Sequence, residues 1–595
     1  MSINLSKKKR DNMLSFLKEL KKKMEDKEDL RKLIEIERTL QEKKYGLIWE
    51  EHKEKTDEIL EKNIPILREI EDKKLTNPEK SGGGGVQSFN YLIEGDNLHS
   101  LKILEKTHRG KIDVIYIDPP YNTGNRDFIY DDNYVDKNDG YRHSKWLSFI
   151  NKRLQIAKKL LKDEGVVFIS IDDNEQSHLK VLCDEIFGEK NKLGVLTIIN
   201  NLKGRSDDNF FATCNEYLLV YSKNKEKSTI KGKNLEEEEI EKEYKKEDFF
   251  GKYKLVGLRK TGKESKREDR PYSYYPILLK NSEYNLIGEE EYRKIYNSAT
   301  KEFDDSYVSE LKIKYEKLGY DFILPVDKNL KNGRWRWGIE TFNKNKKTEL
   351  ELNSSGTLCS KQRLNLENNA ERLKTNKTTW YKSTYDTGSA GKLLKNILRV
   401  NNIDDIFDNP KSLILLKDIV DLSFNKNAIV LDFFAGSGTT GHAVAQLNKE
   451  DGGNRKYILC TNNENNICEE VTYKRLKNIQ KELPHNLKYL KTDYIPKISK
   501  DEDDLSIRKK VEKNIKELIE LENHIEIDNQ KYIIAESEEK MEEDINRIEK
   551  NGILFLPPGI FLSRTEQRKL DEKNIKLVNI PEYYFRNELR EAGEI

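Results

Sequence analysis

The 595 residues carry 108 Lys plus Arg against 106 Asp plus Glu, a formal net charge of +2, so attraction of a polyanion by overall charge is excluded and any such contact has to come from local patches. The length exceeds what one core serves and predicts three or more domains. Five scattered cysteines (Cys183, Cys214, Cys359, Cys460 and Cys468) without Cys-x-x-Cys or a Cys/His spacing suited to zinc predict no metal and a reducing cytoplasm, and no apolar run has the length of a membrane span or the pattern of a secretory leader.

Apolar residues at helical spacing, such as Leu14, Leu17, Leu20, Leu30 and Ile34, predict a helical arm over residues 1–80, its second helix running from Trp49 to about Ile70 with an interruption near Pro65. Ser81-Gly82-Gly83-Gly84-Gly85 then reads as a flexible linker, natural or engineered. From Tyr91 strands and helices alternate: Tyr91 to Glu94, Val114 to Ile117, Val166 to Ile171 and Glu216 to Ser222 as strands, with helices at Leu98 to Leu104, Trp146 to Leu161 and Leu179 to Ile186. Alternation of this kind predicts a parallel sheet covered on both faces. The pattern fades over 223–400, where charges and aromatics accumulate, and resumes with the strands Ile429 to Phe433 and Tyr457 to Thr461 and the helices between them. The reading is one sheet, 89–222 and 401–492, split by a large insertion, with a small domain over 493–595 that has strands at Tyr532 to Ala535 and Ile553 to Leu556.

Two motifs stand at the carboxyl ends of such strands. Asp118-Pro119-Pro120-Tyr121 follows one apolar run, and Phe434-Ala435-Gly436-Ser437-Gly438-Thr439 follows another that ends at Asp432. Glycines there let backbone approach a bound ligand closely, and the following helix N-terminus can receive a carboxylate. Glu464, after the next strand, stands where an acidic residue accepts hydrogen bonds from ribose hydroxyls, and Asp96 ends the strand Tyr91 to Glu94. At the other motif, an exocyclic amine has its lone pair delocalised into the ring. An acceptor on each of its hydrogens, the Asp118 carboxylate and the Pro119 carbonyl held by consecutive prolines, would free that lone pair for direct displacement, while Tyr121 offers a face for stacking.

This pair of motifs resembles the amino-methyltransferases of nucleic acids, in the permuted order of their beta class. The resemblance widens to the Mod subunits of type III restriction-modification systems through Glu42 to His52, Ile93 to Leu98, Phe168 to Glu175, Phe211 to Tyr217 and Asn462 to Glu470. It implies a Rossmann-like α/β sheet dependent on S-adenosylmethionine, with a variable target-recognition insertion, and an adenine target because aspartate opens the motif. It further implies that Asp118, Pro119, Pro120 and Tyr121 handle the amine, that Asp96, Asp432, Phe434, Gly436, Ser437, Gly438, Thr439 and Glu464 hold the cofactor, and that Lys411, in Pro410-Lys411, closes over the cofactor's methionine end. The partners implied are double-stranded DNA, a second copy of the chain and a restriction (Res) subunit. Within the insertion, base–aromatic patches at Arg259, Lys260 and Arg267 and at Arg334 and Arg336 are the candidate DNA contacts. His143 and His442 read as structural, since the reaction needs no imidazole. Two further functions compete: a nucleic-acid-binding scaffold that has lost methyl transfer, and a protein glutamine methyltransferase, which shares a Pro-Pro-Tyr motif but normally places its glycine motif first.

Overall fold

The protein is described by a computed structural model that covers all residues except 1–4, 25, 42–48, 50–51, 78–87, 125–127, 131–132, 205–209, 233–234, 236, 365–372, 401–406, 498–506, 582–583 and 592–595. The glycine-rich linker and most of the segment Glu42 to His52 lie outside the described residues. The chain divides into two units, Met1–Ile230 with Lys377–Ile595, and Lys231–Asn376. The insertion is thus narrower than 223–400. Its expected flanks return to the first unit, where Thr379–Tyr381 joins the main sheet.

The first unit is built on a sheet of β1 (Asn63–Glu69), β2 (Asn90–Glu94), β3 (Ile112–Ile117), β4 (Leu161–Ile171), β5 (Lys192–Ile199), β6 (Asn215–Ser222), β7 (Thr379–Tyr381), β8 (Ile429–Asp432), β9 (Lys456–Thr461) and β10 (Leu487–Pro496). Their spatial order is β1-β10-β2-β9-β8-β3-β4-β6-β5-β7. Pairing is parallel from β10 through β2, β9, β8 and β3 to β4. It departs from the expected all-parallel sheet at β6 and β5, each antiparallel to its inner neighbour.

The central strands read as unbroken apolar runs because both faces are covered. All six residues of β3 are buried, and they alternate between two cores. Ile115 and Ile117 pack with Trp146, Ile150 and Leu154, whereas Val114 and Tyr116 pack with Leu416, Ile419 and Val444. Helices Asn97–Thr107 and Arg142–Leu160 supply the first face, and Leu413–Asp421 and Thr439–Asp451 the second.

Two expectations fail at the ends. The expected helix from Trp49 to Ile70 is a helix only over Lys55–Lys62; Asn63–Glu69 is β1, antiparallel to β10 at the sheet's edge. Pro65 lacks the N–H that a helix would use and is tolerated at a sheet edge, and Ile64, Ile66 and Leu67 are buried there. The boundary expected at 493 likewise cuts through β10. Beyond it, Tyr532–Ile534, Ile553–Leu556 and Lys576–Asn579 form a small parallel sheet.

In the second unit, Leu258, Tyr275, Ile277, Trp335 and Phe342 form a core under short antiparallel sheets. Among the described residues, no helix of either unit is long and apolar enough to cross a membrane.

Candidate active site

β3 and β8 are neighbours and run parallel, so the turns after Ile117 and Asp432 leave the same edge of the sheet side by side. Parallel sheets bind ligands in such a crevice outside the carboxyl ends of their strands. A cavity of about 540 Å3 lies there, lined among others by Asp118, Pro120, Phe434, Gly436, Asp96 and Glu464. Its volume is in the usual range for a small-molecule site.

Asp118 has a side chain 26% exposed, and burial pushes its carboxyl above the usual range while the ammonium of Lys411 pulls it back. Lys411 Nζ lies 3.3 Å from Asp118 Oδ1, an ion-pair distance, and that oxygen accepts no well-aligned hydrogen bond from the protein. Lys411 also donates to Glu216 Oε2 and to Tyr121 Oη, each at 2.6 Å, and Tyr121 Oη donates to the same Glu216 oxygen at 3.0 Å. Burial alone would lower the lysine, but Asp118 and Glu216 outweigh it and hold Lys411 above its ordinary value. Lys411 therefore ties Tyr121 to the Asp-Pro-Pro-Tyr turn and opposes the upward shift of Asp118, and it is not among the residues that line the cavity. In the sequence Glu216 reads only as the start of a strand and as part of the segment Phe211 to Tyr217; nothing local marks its side chain for the site, and it is the second residue of β6.

The Pro120 carbonyl accepts the indole N–H of Trp146 at 2.7 Å, which anchors the proline pair to helix Arg142–Leu160. Among the described residues no hydrogen bond ends on the carbonyl of Pro119.

The glycine turn is held from below. Asp432 is buried, accepts from Phe434 N at 3.0 Å and Thr440 Oγ1 at 2.5 Å, and is pushed by burial to about 7 against those two donors. Ser437 and Thr439 are also buried, and Arg475 Nη1 donates to Ser437 Oγ at 3.2 Å and to Thr439 Oγ1 at 2.7 Å. These three residues brace the turn; only Phe434 and Gly436 of the motif line the cavity. Gly436 and Gly438 have φ of +47° and +74°, and a Cβ would stand 3.1 Å from the Phe407 ring at the first and 3.0 Å from Thr472 Cγ2 at the second. Glycine is required at both for conformation and for space. Thr472 and Arg475, on the segment after β9, are bracing residues without a sequence signal.

At the far wall Asp96 caps helix Asn97–Thr107, accepting from Leu98 N at 2.8 Å, and its side chain stays 38% exposed to the cavity. Fully buried Arg153 joins this wall to the arm: it donates to Asn97 Oδ1 at 2.5 Å and holds both oxygens of Glu54, a further lining residue, at 3.0 and 2.9 Å. Glu464 is exposed at the rim.

The expected DNA contacts lie in the second unit. Arg259 bridges antiparallel to Trp335, and Lys260 N donates to the Arg334 carbonyl at 2.9 Å, so the two separate patches form one ribbon. Two members are corrected. Arg334 is 4% exposed and donates to the carbonyls of Glu264 and Trp335, and Arg267 is clamped by both Asp305 oxygens and lies over Phe303. Both are spent on the unit's own fold. Arg336 is exposed, and Arg259 and Lys260 are half-buried.

A family model described as DNA methylase matches residues 112–474, a span that contains both motifs and the insertion. The chain belongs to this DNA methylase family. Among its relatives, the type III restriction-modification enzyme EcoPI Mod subunit of Escherichia phage P1 is 35% identical over 73% of this chain and 66% of that protein. The type II methyltransferase M.KpnI of Klebsiella pneumoniae is 35% identical over 64% of this chain and 82% of that one. The chain spans between about half and two thirds of the length of the curated Mod relatives it matches. It is also similar to TTHA0409, a putative DNA modification methylase from Thermus thermophilus, at a TM-score of 0.29 and 13% identity, covering 67% of this chain and 99% of that one.

Proposed function

We propose that the chain is a site-specific DNA adenine N6-methyltransferase dependent on S-adenosylmethionine, and the modification and recognition subunit of a type III restriction-modification system. The observation that carries this reading is the half-buried Asp118, which lines one cavity together with Phe434 and Gly436 of the adjacent strand's glycine turn, while its Oδ1 is buried against the Lys411 ammonium. The cavity residues fit the cofactor. Asp96 and Glu464 offer carboxylates to hydroxyls and ring nitrogens, Phe434 and Ile467 offer apolar wall, and Gly436 leaves open the space that a side chain would take. The cofactor, when bound, supplies an electrophilic methyl group. Asp118 and the Pro119 carbonyl would then each accept a hydrogen bond from the amine, and Tyr121, tethered by Lys411 and Glu216, offers its ring to the base. Direct displacement needs no covalent intermediate on the protein.

Double-stranded DNA is the substrate, bound through Arg259, Lys260 and Arg336 of the second unit, and a Res subunit is the restriction partner. The exposed Phe16, Ile34 and Ile36 on helices Leu5–Lys23 and Lys27–Gln41 support a homodimer through the arm. A cytoplasmic location follows from the substrate. Single-molecule sequencing of host DNA tests the reading: methyl groups on N6 of adenine in one fixed context are expected, and a folded chain that leaves every adenine unmodified sinks it.

Exchanging residues 231–376 for the corresponding unit of a relative is expected to change which adenine is methylated while leaving the chemistry intact, because Asp118 and Gly436 lie in the other unit. Methylation mapping of an active chimera that kept the parent's site would move recognition elsewhere.

Lys411→Met is expected to shift the acid limb of the pH–rate profile. Asp118 works as a carboxylate, so activity is present above its pKa and lost as pH falls through it. Burial already raises that pKa, and loss of the ammonium raises it further, so the limb moves to higher pH. An unmoved limb would remove Lys411 from this role.

A further inference from the structure

Directly behind the target-amine motif lies a cluster that the reading above leaves unused. Asn122 follows Tyr121, is fully buried, and has a left-handed backbone with φ of 57°. Asparagine adopts that conformation more readily than other side chains, so the turn itself suits this residue. Its side-chain amide donates to Glu175 Oε1 at 2.5 Å and to the Arg142 carbonyl at 3.3 Å. Glu175 sits at the start of helix Gln176–Cys183 and is 0% exposed. His143 Nδ1 is 2.6 Å from its Oε1, and His178 Nδ1 is 3.0 Å from its Oε2. Among the described residues no Lys or Arg side chain pairs with this carboxylate.

The protons can be placed. Arg142 Nε–H donates to His143 Nε2 at 3.1 Å, so Nε2 is the bare nitrogen of that ring and Nδ1–H points at Glu175. Burial pushes Glu175 up to about 8, against Asn122 and Arg142, and pushes His143 down to about 4. Glu175 Oε1 is thus the shared acceptor of the Asn122 amide and His143 Nδ1–H, while Oε2 faces His178 without an aligned hydrogen bond, and the carboxyl takes up a proton as pH falls through about 8.

We propose that Glu175 is a positioning residue for methyl transfer: held by His143 and packed against His178, its carboxyl group locks Asn122 and so sets the direction in which Asp118 and Tyr121 meet the amine. This rests on the function proposed above. The links are covalent on one side and hydrogen-bonded on the other, and the same helix Arg142–Leu160 that carries His143 also anchors the Pro120 carbonyl through Trp146. A different occupant is conceivable for the same atoms, since His143, Glu175 and His178 offer three ligand atoms within 4.8 Å of one another and could hold a divalent cation. The Arg142 hydrogen bond speaks against it, because it leaves the proton on the nitrogen lone pair that a metal needs.

The test uses the full chain with Glu175→Gln, Asn122→Ala and the double variant, read by kcat on duplex DNA, the dissociation constant of S-adenosylmethionine, and thermal melting. Glu175→Gln is expected to lower kcat on the order of 10²-fold, the cost of a misplaced reacting group, with cofactor affinity unchanged. The double variant is expected to be no worse than the more severe single one, because the two residues act as one unit. His143→Ala, at a half-exposed ring, gives a smaller loss in the same direction and serves if Glu175→Gln does not fold. Unchanged kcat in an otherwise active enzyme, or losses that add, overturns the proposal. So does stoichiometric metal in the purified protein that disappears with Glu175→Gln. Inactivity of the unaltered chain would instead count against the proposed function itself.

Discussion

Asp118→Ala is expected to abolish methyl transfer, by roughly 10²- to 10³-fold or more, while cofactor affinity stays within a few-fold of the unaltered chain; such a loss is typical when one placed polar group is removed from a developing charge. The carboxylate is the acceptor that opens into the cavity, and the lining residues assigned to the cofactor, Asp96, Gly436 and Glu464, stand on other turns. The variant has a second effect on Lys411, which loses one of its two carboxylates but keeps Glu216 at 2.6 Å, so the lysine remains paired and the loop should fold. Tyr121→Ala is expected to act in the same direction and less severely. Tritium transfer from labelled cofactor and calorimetric cofactor binding, measured side by side, decide the matter, and normal turnover by Asp118→Ala would remove the proposed chemistry.

The reverse outcome is expected for Gly436→Leu: loss of cofactor affinity with DNA binding spared. Two costs combine. The backbone φ of +47° is strained for any L side chain, and a Cβ would stand 3.1 Å from the Phe407 ring before the rest of the leucine enters the cavity. Strain of about 1–3 kcal/mol alone corresponds to roughly 5- to 150-fold in affinity if it is relieved by opening the turn, since about 1.4 kcal/mol is tenfold. Arg475 and Thr472 hold the turn closed from beneath, Thr472 Oγ1 donating to the Gly436 carbonyl at 2.5 Å, so the turn has little room to yield. Calorimetry with S-adenosylmethionine reads the loss, and unchanged affinity would make the glycine turn merely a tight connection.

Much of the site was open to a reading of the chain. Parallel strands buried on both faces appear as apolar runs, their carboxyl ends are where ligands bind, and motifs at those ends therefore name the chemistry before any tertiary contact is known. Asp118, Phe434, Gly436 and Glu464, expected on that ground, line one cavity, and Tyr121 stands beside it, hydrogen-bonded to Glu216. Residues assigned from the same motifs by proximity fared differently: Asp432, Ser437 and Thr439 face inward, and the chain alone does not say which side of a turn a side chain takes.

What the sequence by itself determined is six of the ten strands of the main sheet, the two motifs, and the presence of an insertion between them, all consequences of local periodicity and of glycine and proline at particular positions. Tertiary structure decided the rest. Lys411 reaches Tyr121 across 290 residues of chain because their elements meet at the sheet's edge. The Ile64–Leu67 run became a strand because β10 offered an edge to pair with, a long-range gain that local spacing cannot register. Arg334 and Arg267 were removed from the surface by carbonyl and carboxylate partners, and Arg475, Thr472 and Glu175 gained their roles only through the residues folded against them, since a polar residue in a helix carries the same local signal whether it faces water or braces a buried turn.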